Sequence, residues 1–237
     1  MNKAELAVRK SIIDACRQMN SLGINQGTSG NISARFQDRM LITASGVPYE
    51  ELTPEAIVST PIKGGGRTWE GDYPPSTEWR FHLRILQERP DVGAVVHTHS
   101  TYATVLAICN KPIPAIHYMV AASGGPDIRV APYETYGTEE LSNVALKALE
   151  GRTCCLLRNH GVITTGGNVK KALWLAVEVE TLARQYYLAL QIDGAQVLPD
   201  DEIALVKEKF KGYGLREKPA AAAARAPRKM LRNKKRA

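Results

Sequence analysis

The stretch Val95-Val96-His97-Thr98-His99 narrows most what this chain can fold into. Apolar Val92, Ala94, Val95 and Val96 run into it, as a buried strand does. Residues two apart on a strand project from the same face, so His97 and His99 can reach one point in space. Two imidazoles converging at a strand end suit a cation that takes nitrogen ligands, zinc first. An isolated H-x-H also fits a pair of hydrogen-bonded core histidines, so further ligands are needed. A catalytic zinc takes three protein ligands and keeps one position open. The other histidines are His82, His117 and His160. His160 follows Cys154–Arg158, which reads as a buried strand, so it too falls near a strand end and is the natural third ligand.

Glu78 and His82 form an E-x-x-x-H pair in a segment that reads as a helix ending near Arg89. Pro74 and Pro75 stop whatever precedes it, Ser76 or Thr77 can cap it, and Glu78 falls in its first turn. The simplest role for Glu78 there is electrostatic capping, and for His82 packing beneath the helix. Two loops look suited to an anion. Asn25-Gln26-Gly27-Thr28-Ser29-Gly30-Asn31 precedes a strand Ile32–Phe36, and Ala44-Ser45-Gly46 follows a strand Met40–Thr43. Ser76 and Thr77 offer a third such place.

Elsewhere the pattern is of helices around clustered strands. Asn2 is an N-cap with Glu5 three residues on, and Gly23 ends a helix through Leu22. Gly64-Gly65-Gly66 marks a hairpin tip. Helices are expected over Thr101–Cys109, Glu139–Glu150, Asn168–Asp193 and Pro199–Phe210, the last stopped by Gly212-Tyr213-Gly214. Val130–Tyr133 reads as a short strand before the Tyr136-Gly137 turn. The whole reads as an α/β or α+β fold, with helices packed on a central sheet.

The chain has 237 residues, 44% hydrophobic and 23% charged, enough for one good core. Its net charge of +7 is misleading. Residues 216–237 hold nine Lys or Arg and one Glu, so the rest sums to about −1. The expected organisation is one domain over residues 1–215 and a basic, disordered tail over 216–237. A solvated tail is favoured over a nucleic-acid-binding arm. No apolar run reaches membrane-spanning length and no signal-peptide core opens the chain. Cys16, Cys109, Cys154 and Cys155 make no C-x-x-C, which suits a reducing cytoplasm.

Taken together, NQGTSGNIS, LITASGVPYEEL, PSTEWRFH, VVHTHS, IPAIHYMVAASGG and LLRNHGVI resemble the class II aldolase/adducin family in order and spacing, over about residues 2–216. The resemblance implies a three-layer α/β/α domain around a mostly antiparallel central sheet. It implies one Zn2+ per subunit, held by His97, His99 and His160, with Glu78 as a movable fourth group and catalytic base. It implies substrate phosphate among Gly30, Asn31, Ser45, Gly46, Ser76 and Thr77. Tyr118 is implied as the second catalytic residue, and Tyr136 and Tyr213 as lining the aldehyde pocket. Tyr136 stands where the family's aldolases often have Phe. The implied assembly is a C4 homotetramer with sites between neighbours, Tyr118 and Tyr213 reaching across.

The implied activity is reversible cleavage of a ketose 1-phosphate to dihydroxyacetone phosphate and a short aldehyde. L-fuculose 1-phosphate with L-lactaldehyde leads, and 5-deoxypentulose 1-phosphates follow. Pentulose-5-phosphate 4-epimerases and methylthioribulose-1-phosphate dehydratases share the histidine set and are the enzymatic alternatives. An adducin-like interaction module is the non-catalytic one, and the presence of His97, His99, His160 and Glu78 speaks against it.

Overall fold

The structure is a computed structural model that describes residues 1–210. Tyr213, the Gly212-Tyr213-Gly214 stop and the basic tail 216–237 lie outside the described residues. Helix α1 is Lys3–Ser21, and strands β1, β2 and β3 are Asn31–Phe36, Arg39–Ile42 and Val58–Pro61. Helix α2 (Trp79–Glu88) leads to β4 (Ala94–Thr98), then α3 (Thr101–Ile108) and β5 (Ile113–Pro114). Next come β6 (Asp127–Ile128), β7 (Val130–Ala131) and α4 (Glu139–Ala148). The strands β8 (Cys154–Leu157) and β9 (Gly161–Gly166) precede α5 (Val169–Ala189) and α6 (Asp200–Phe210).

The main sheet has the order β3-β2-β1-β4-β9-β8-β7, so the strand bearing His97 is its middle member. Every pairing is antiparallel except β7 with β8. β5 and β6 form a separate two-stranded sheet. The short strand expected over Val130–Tyr133 is confined to Val130–Ala131, because Pro132 lacks a ladder donor.

Strand alternation builds the layers. Ala94 and Val96 of β4 pack with α1 and α5, whereas Val95 between them packs with α2 and α4. Cys154 and Leu156 of β8 face α3 and α5, and Cys155 and Leu157 face the α2/α4 side. Both sheet faces are therefore apolar and both are covered, which gives the three-layer α/β/α arrangement. Adjacent Cys154 and Cys155 point to opposite layers, and all four cysteines are free thiols.

Local signals set the helix ends. Asn2 Oδ1 accepts the Glu5 N–H at 2.9 Å, the expected cap of α1, a contact type worth about 1 kcal/mol. Helix α2 departs from expectation. It starts at Trp79, with Glu78 itself at the N-cap position and no side-chain cap. Ser76 instead bends the entering chain, since its Oγ accepts the Glu78 N–H at 3.3 Å and its carbonyl accepts from Trp79 at 3.1 Å. At its other end α2 is tied to β1 through Arg35, which donates to the carbonyls of Leu86 and Val92 at 2.5 and 3.2 Å. The apolar segment after His117 is a 3-10 helix, Tyr118–Ser123, which packs against α6 through Ala121, Ile203 and Val206.

Candidate metal centre and active-site cavity

Three passages of chain bring the polar cluster together. β4 carries His97, which pairs with Asn31 of β1 on one side and Ile163 of β9 on the other. His99 lies just past the strand end on the same face. His160 sits in the tight connection from β8 to β9. The residue before it, Asn159, has φ +55, a left-handed conformation that Asn tolerates better than most side chains. The residue after it must be small. A Cβ on Gly161 would stand 2.5 Å from the Thr98 carbonyl and 2.8 Å from His99 Cδ2, so glycine lets the two histidine-bearing segments touch. Glu78 comes from the start of α2, and because no capping bond holds its carboxylate, it turns to the histidines.

The resulting distances are short. Glu78 Oε2 is 3.1 Å from His97 Nε2, and Glu78 Oε1 is 3.2 Å from His160 Nε2. His97 Nε2 lies 3.0 Å from His99 Nε2. The four ligand atoms all fall within 4.8 Å of one another. His97 Nδ1 is 2.9 Å from the Val162 carbonyl, which can only accept, so Nδ1 carries the hydrogen and Nε2 presents its lone pair. Glu78 Oε1 is buried and has no hydrogen-bond partner among the described residues. A donorless carboxylate oxygen and converging imidazole nitrogens fit a divalent cation, since nitrogen and carboxylate donors are the set such ions take.

The electrostatics agree. Burial alone would raise the Glu78 pKa, but the facing His97 and His160 rings outweigh it and leave the carboxyl well below its usual range. Desolvation, then the neighbouring His97 and His160, lowers the His99 pKa to about 4. A neutral imidazole beside a carboxylate anion is the ionisation state that metal binding requires.

Beside the cluster opens a cavity of about 350 Å³, lined by Glu78, His99 and His160 at one end and by Thr28, Ser29 and Thr77 along a polar wall. Tyr133, Glu134, Tyr136 and Asn159 complete it. Thr28, Ser29 and Thr77 come from two of the loops expected to bind an anion, and the Ala44–Gly46 loop is joined to the second of them. Ala44 bridges Pro75, and the Ser45 N–H donates to the Pro74 carbonyl at 2.9 Å. The Tyr49 hydroxyl ties the first loop down through the Gly30 carbonyl at 2.5 Å. Gly30 allows close passage, because a Cβ there would lie 2.7 Å from both Asn25 Oδ1 and the His97 carbonyl.

Of the expected site residues, Glu78, His97, His99 and His160 meet at one point. Thr77 and Tyr136 line the cavity. Gly30, Asn31, Ser45, Gly46 and Ser76 are not among the residues that line it; Asn31 opens β1 and the others lie in the adjoining loops. Tyr118 does not line the cavity. It is 46% exposed and its ring lies against His117 and Phe210, at 4.6 and 6.4 Å between centroids. His82 does not join the cluster, in keeping with the packing role expected of it. Tyr133, Glu134 and Asn159 are cavity residues that the sequence pattern does not single out. Only Asn159 carries a local signal, an asparagine beside a histidine at a turn.

The sequence matches the Class II Aldolase and Adducin N-terminal domain over residues 10–187. It is 54% identical over 214 residues to the 5-methylthioribulose-1-phosphate/5-deoxyribulose-1-phosphate aldolase of Rhodospirillum rubrum, covering 90% of this chain and 96% of that protein. It is also 54% identical over 217 residues to the L-fuculose phosphate aldolase of Escherichia coli K12, covering 91% and 99% respectively. A solved L-fuculose 1-phosphate aldolase superposes with a TM-score of 0.83 at 42% identity, covering 86% of this chain and 96% of that one. Fold and site thus define an enzyme of the aldolase class, a carbon–carbon lyase. The chain belongs to the class II aldolase and adducin family.

Proposed function

We propose that this enzyme is a zinc-dependent aldolase that reversibly cleaves a ketose 1-phosphate to dihydroxyacetone phosphate and a short aldehyde. The observation that carries this reading is the convergence of Glu78 with His97, His99 and His160 at one end of a polar cavity. The names of the relatives support L-fuculose 1-phosphate, 5-methylthioribulose 1-phosphate and 5-deoxyribulose 1-phosphate as candidate substrates.

His97, His99 and His160 would hold the zinc, with Glu78 as an exchangeable fourth ligand. The cation supplies Lewis-acid stabilisation of the negative charge that bond cleavage leaves on the ketone fragment. Glu78, displaced by substrate, takes and returns the proton at C3 of dihydroxyacetone phosphate. The loops of Gly30–Asn31, Ser45–Gly46 and Ser76–Thr77 hold the phosphate. The backbone N–H groups of Ser45 and Ser76 are already bonded to Pro74 and Thr43, so these two residues reach it through their hydroxyls. Fixing that end sets the reacting carbons against Glu78.

Tyr136, with Tyr133 and Glu134, walls the aldehyde end. Tyr118, which lies off the cavity of its own chain, serves the site of an adjacent copy in a C4 homotetramer. There it exchanges the proton on the C4 hydroxyl. Tyr213 is assigned to the same aldehyde pocket. Free thiols at Cys16, Cys109, Cys154 and Cys155 support a reducing cytoplasm as the compartment. Among the described residues, no helix is long and apolar enough to cross a membrane.

The test is hydrogen exchange at C3 of dihydroxyacetone phosphate in heavy water, with zinc-loaded protein and no aldehyde. Stereospecific exchange that stops when a chelator strips the zinc is the expected result. Full exchange by the stripped protein would remove the metal from the mechanism.

A further inference from the structure

The Glu78 carboxylate is held from outside the histidine cluster by a chain of hydrogen bonds. Residues 31, 33, 95 and 97 alternate onto the α2-facing side of the sheet, because Asn31 pairs with His97 and Ser33 with Val95. His82 of α2 is fully buried against that side, stacked on Phe81 at 4.5 Å between ring centroids. Both of its nitrogens are engaged. Nδ1 is 2.8 Å from Ser33 Oγ, and Nε2 is 2.5 Å from Asn31 Oδ1. Asn31 Nδ2 in turn donates to Glu78 Oε2 at 3.0 Å.

The direction of every bond in this chain follows from its end. A carboxylate can only accept, so the Asn31 amide nitrogen faces Glu78 and its oxygen faces His82. An amide oxygen can only accept, so His82 carries its hydrogen on Nε2. Nδ1 is then a lone pair that accepts from the Ser33 hydroxyl. Burial, with the nearby His97 ring second, lowers the His82 pKa to about 3, so the ring is neutral as this pattern needs. One oxygen of Glu78 is thus anchored, while Oε1 has no hydrogen bond.

We propose that Ser33, His82 and Asn31 are positioning residues that pin Glu78 Oε2 and so make Oε1 the oxygen that binds metal or moves the C3 proton. This deepens the proposed function and rests on its assignment of Glu78. It also gives the Asn31 side chain a task other than phosphate contact, since its amide is engaged at both ends.

The experiment compares His82→Leu, His82→Gln and Asn31→Ala in the zinc-loaded enzyme, with zinc affinity measured separately by competition with a chromophoric chelator. His82→Leu should lower the rate of C3 exchange from dihydroxyacetone phosphate by about 10- to 100-fold and weaken zinc by about 10-fold, the range typical of groups that orient a ligand. KM and inhibition by inorganic phosphate should stay within about 2-fold, since the phosphate loops are intact. Gln can return an N–H to Asn31, so His82→Gln should recover most of the loss. Asn31→Ala should behave like His82→Leu. Ser33→Ala, a milder change, covers the case in which His82→Leu does not fold, and should cost less in the same two readouts.

Equal losses in His82→Leu and His82→Gln would make the effect one of packing and overturn the proposal. So would unchanged zinc affinity and exchange in His82→Leu. A rise in KM and weaker phosphate inhibition in Asn31→Ala, with the exchange rate at saturation intact, would return that side chain to phosphate binding. If the wild-type enzyme performs no exchange, the proposed reaction fails, yet the zinc affinities of the same variants still decide whether the chain positions Glu78.

Discussion

The two ends of the cavity are built differently. At the β4 end, Glu78 and His97 are nearly fully buried, His97 is fixed by the Val162 carbonyl and edge-on contact with Phe81, and Glu78 is fixed by Asn31. At the other end, Tyr133, Glu134 and Tyr136 come from the connection between β7 and α4, and Tyr136 is 65% exposed. The first end rests on ladder pairing in the middle of a sheet. The second rests on a loop that follows a two-residue strand. On the proposed function, chemistry that needs fixed geometry sits on the rigid end, and selection among aldehydes falls to the end that can vary without disturbing the sheet.

This contrast can be broken at the rigid end first. Glu78→Gln keeps the shape and one oxygen but loses the basic group. C3 exchange should fall by about 10²- to 10⁴-fold while zinc stays bound, as elemental analysis of the purified variant would show. Near-normal exchange would take Glu78 out of the proton transfer. Tyr118→Phe separates the two half-reactions. Condensation of dihydroxyacetone phosphate with an aldehyde should slow by about 10²-fold, whereas C3 exchange without aldehyde should hold within a few-fold. Equal losses in both would end the assignment of Tyr118 to the carbonyl side. At the variable end the expected effect is smaller. Tyr136→Phe removes one hydroxyl from a wet wall, so preference between a hydroxylated and a deoxygenated aldehyde should shift by between about 2- and 10-fold. A loss of C3 exchange as large as that of Glu78→Gln would show the two ends to be coupled.

The same contrast separates what is legible in the sequence from what only the folded chain reveals. His97, His99 and His160 are legible because a period of two and an apolar lead-in place side chains at strand ends without tertiary information. The α1 cap at Asn2 and the packing of helices on a central sheet are legible for similar local reasons, whereas the three-layer arrangement is implied by the family resemblance alone. The orientation of Glu78 is not. By itself the sequence of α2 favours a capping carboxylate, and only the pull of three imidazoles from β4 and the β8–β9 turn moves it off the helix axis. The Asn31–Glu78 and His82–Asn31 bonds span 47 and 51 residues of chain, so no window of sequence contains them. Tyr133 and Glu134 reach the cavity through the parallel pairing of β7 with β8, the one parallel contact in the main sheet. Nothing periodic in the sequence announces that pairing.

The smallest effect concerns the cost of keeping His82 neutral inside the rigid end. Its pKa falls from 6.5 to about 3 on burial, so between those values the unfolded chain binds a proton at this site that the folded chain does not. Stability therefore rises with pH through this window and is lost as pH falls from about 6.5 towards 3, with a slope of up to about 1.4 kcal/mol per pH unit from this one ring. Glu78 acts in the same sense at lower pH, because its depressed pKa gives stability that is lost as the carboxyl protonates. Asn31, Ser33 and Phe81, which contact His82, do not titrate, whereas the nearby His97 lowers its pKa further and Glu78 raises it. His82→Gln should accordingly flatten the acid limb of denaturant-measured stability by about one proton between pH 6.5 and pH 4, with a chelator present throughout so that metal release is common to both proteins. An unchanged slope would mean that His82 protonates in the folded state, and a neutral ring could then no longer be assumed where the hydrogen-bond chain requires one.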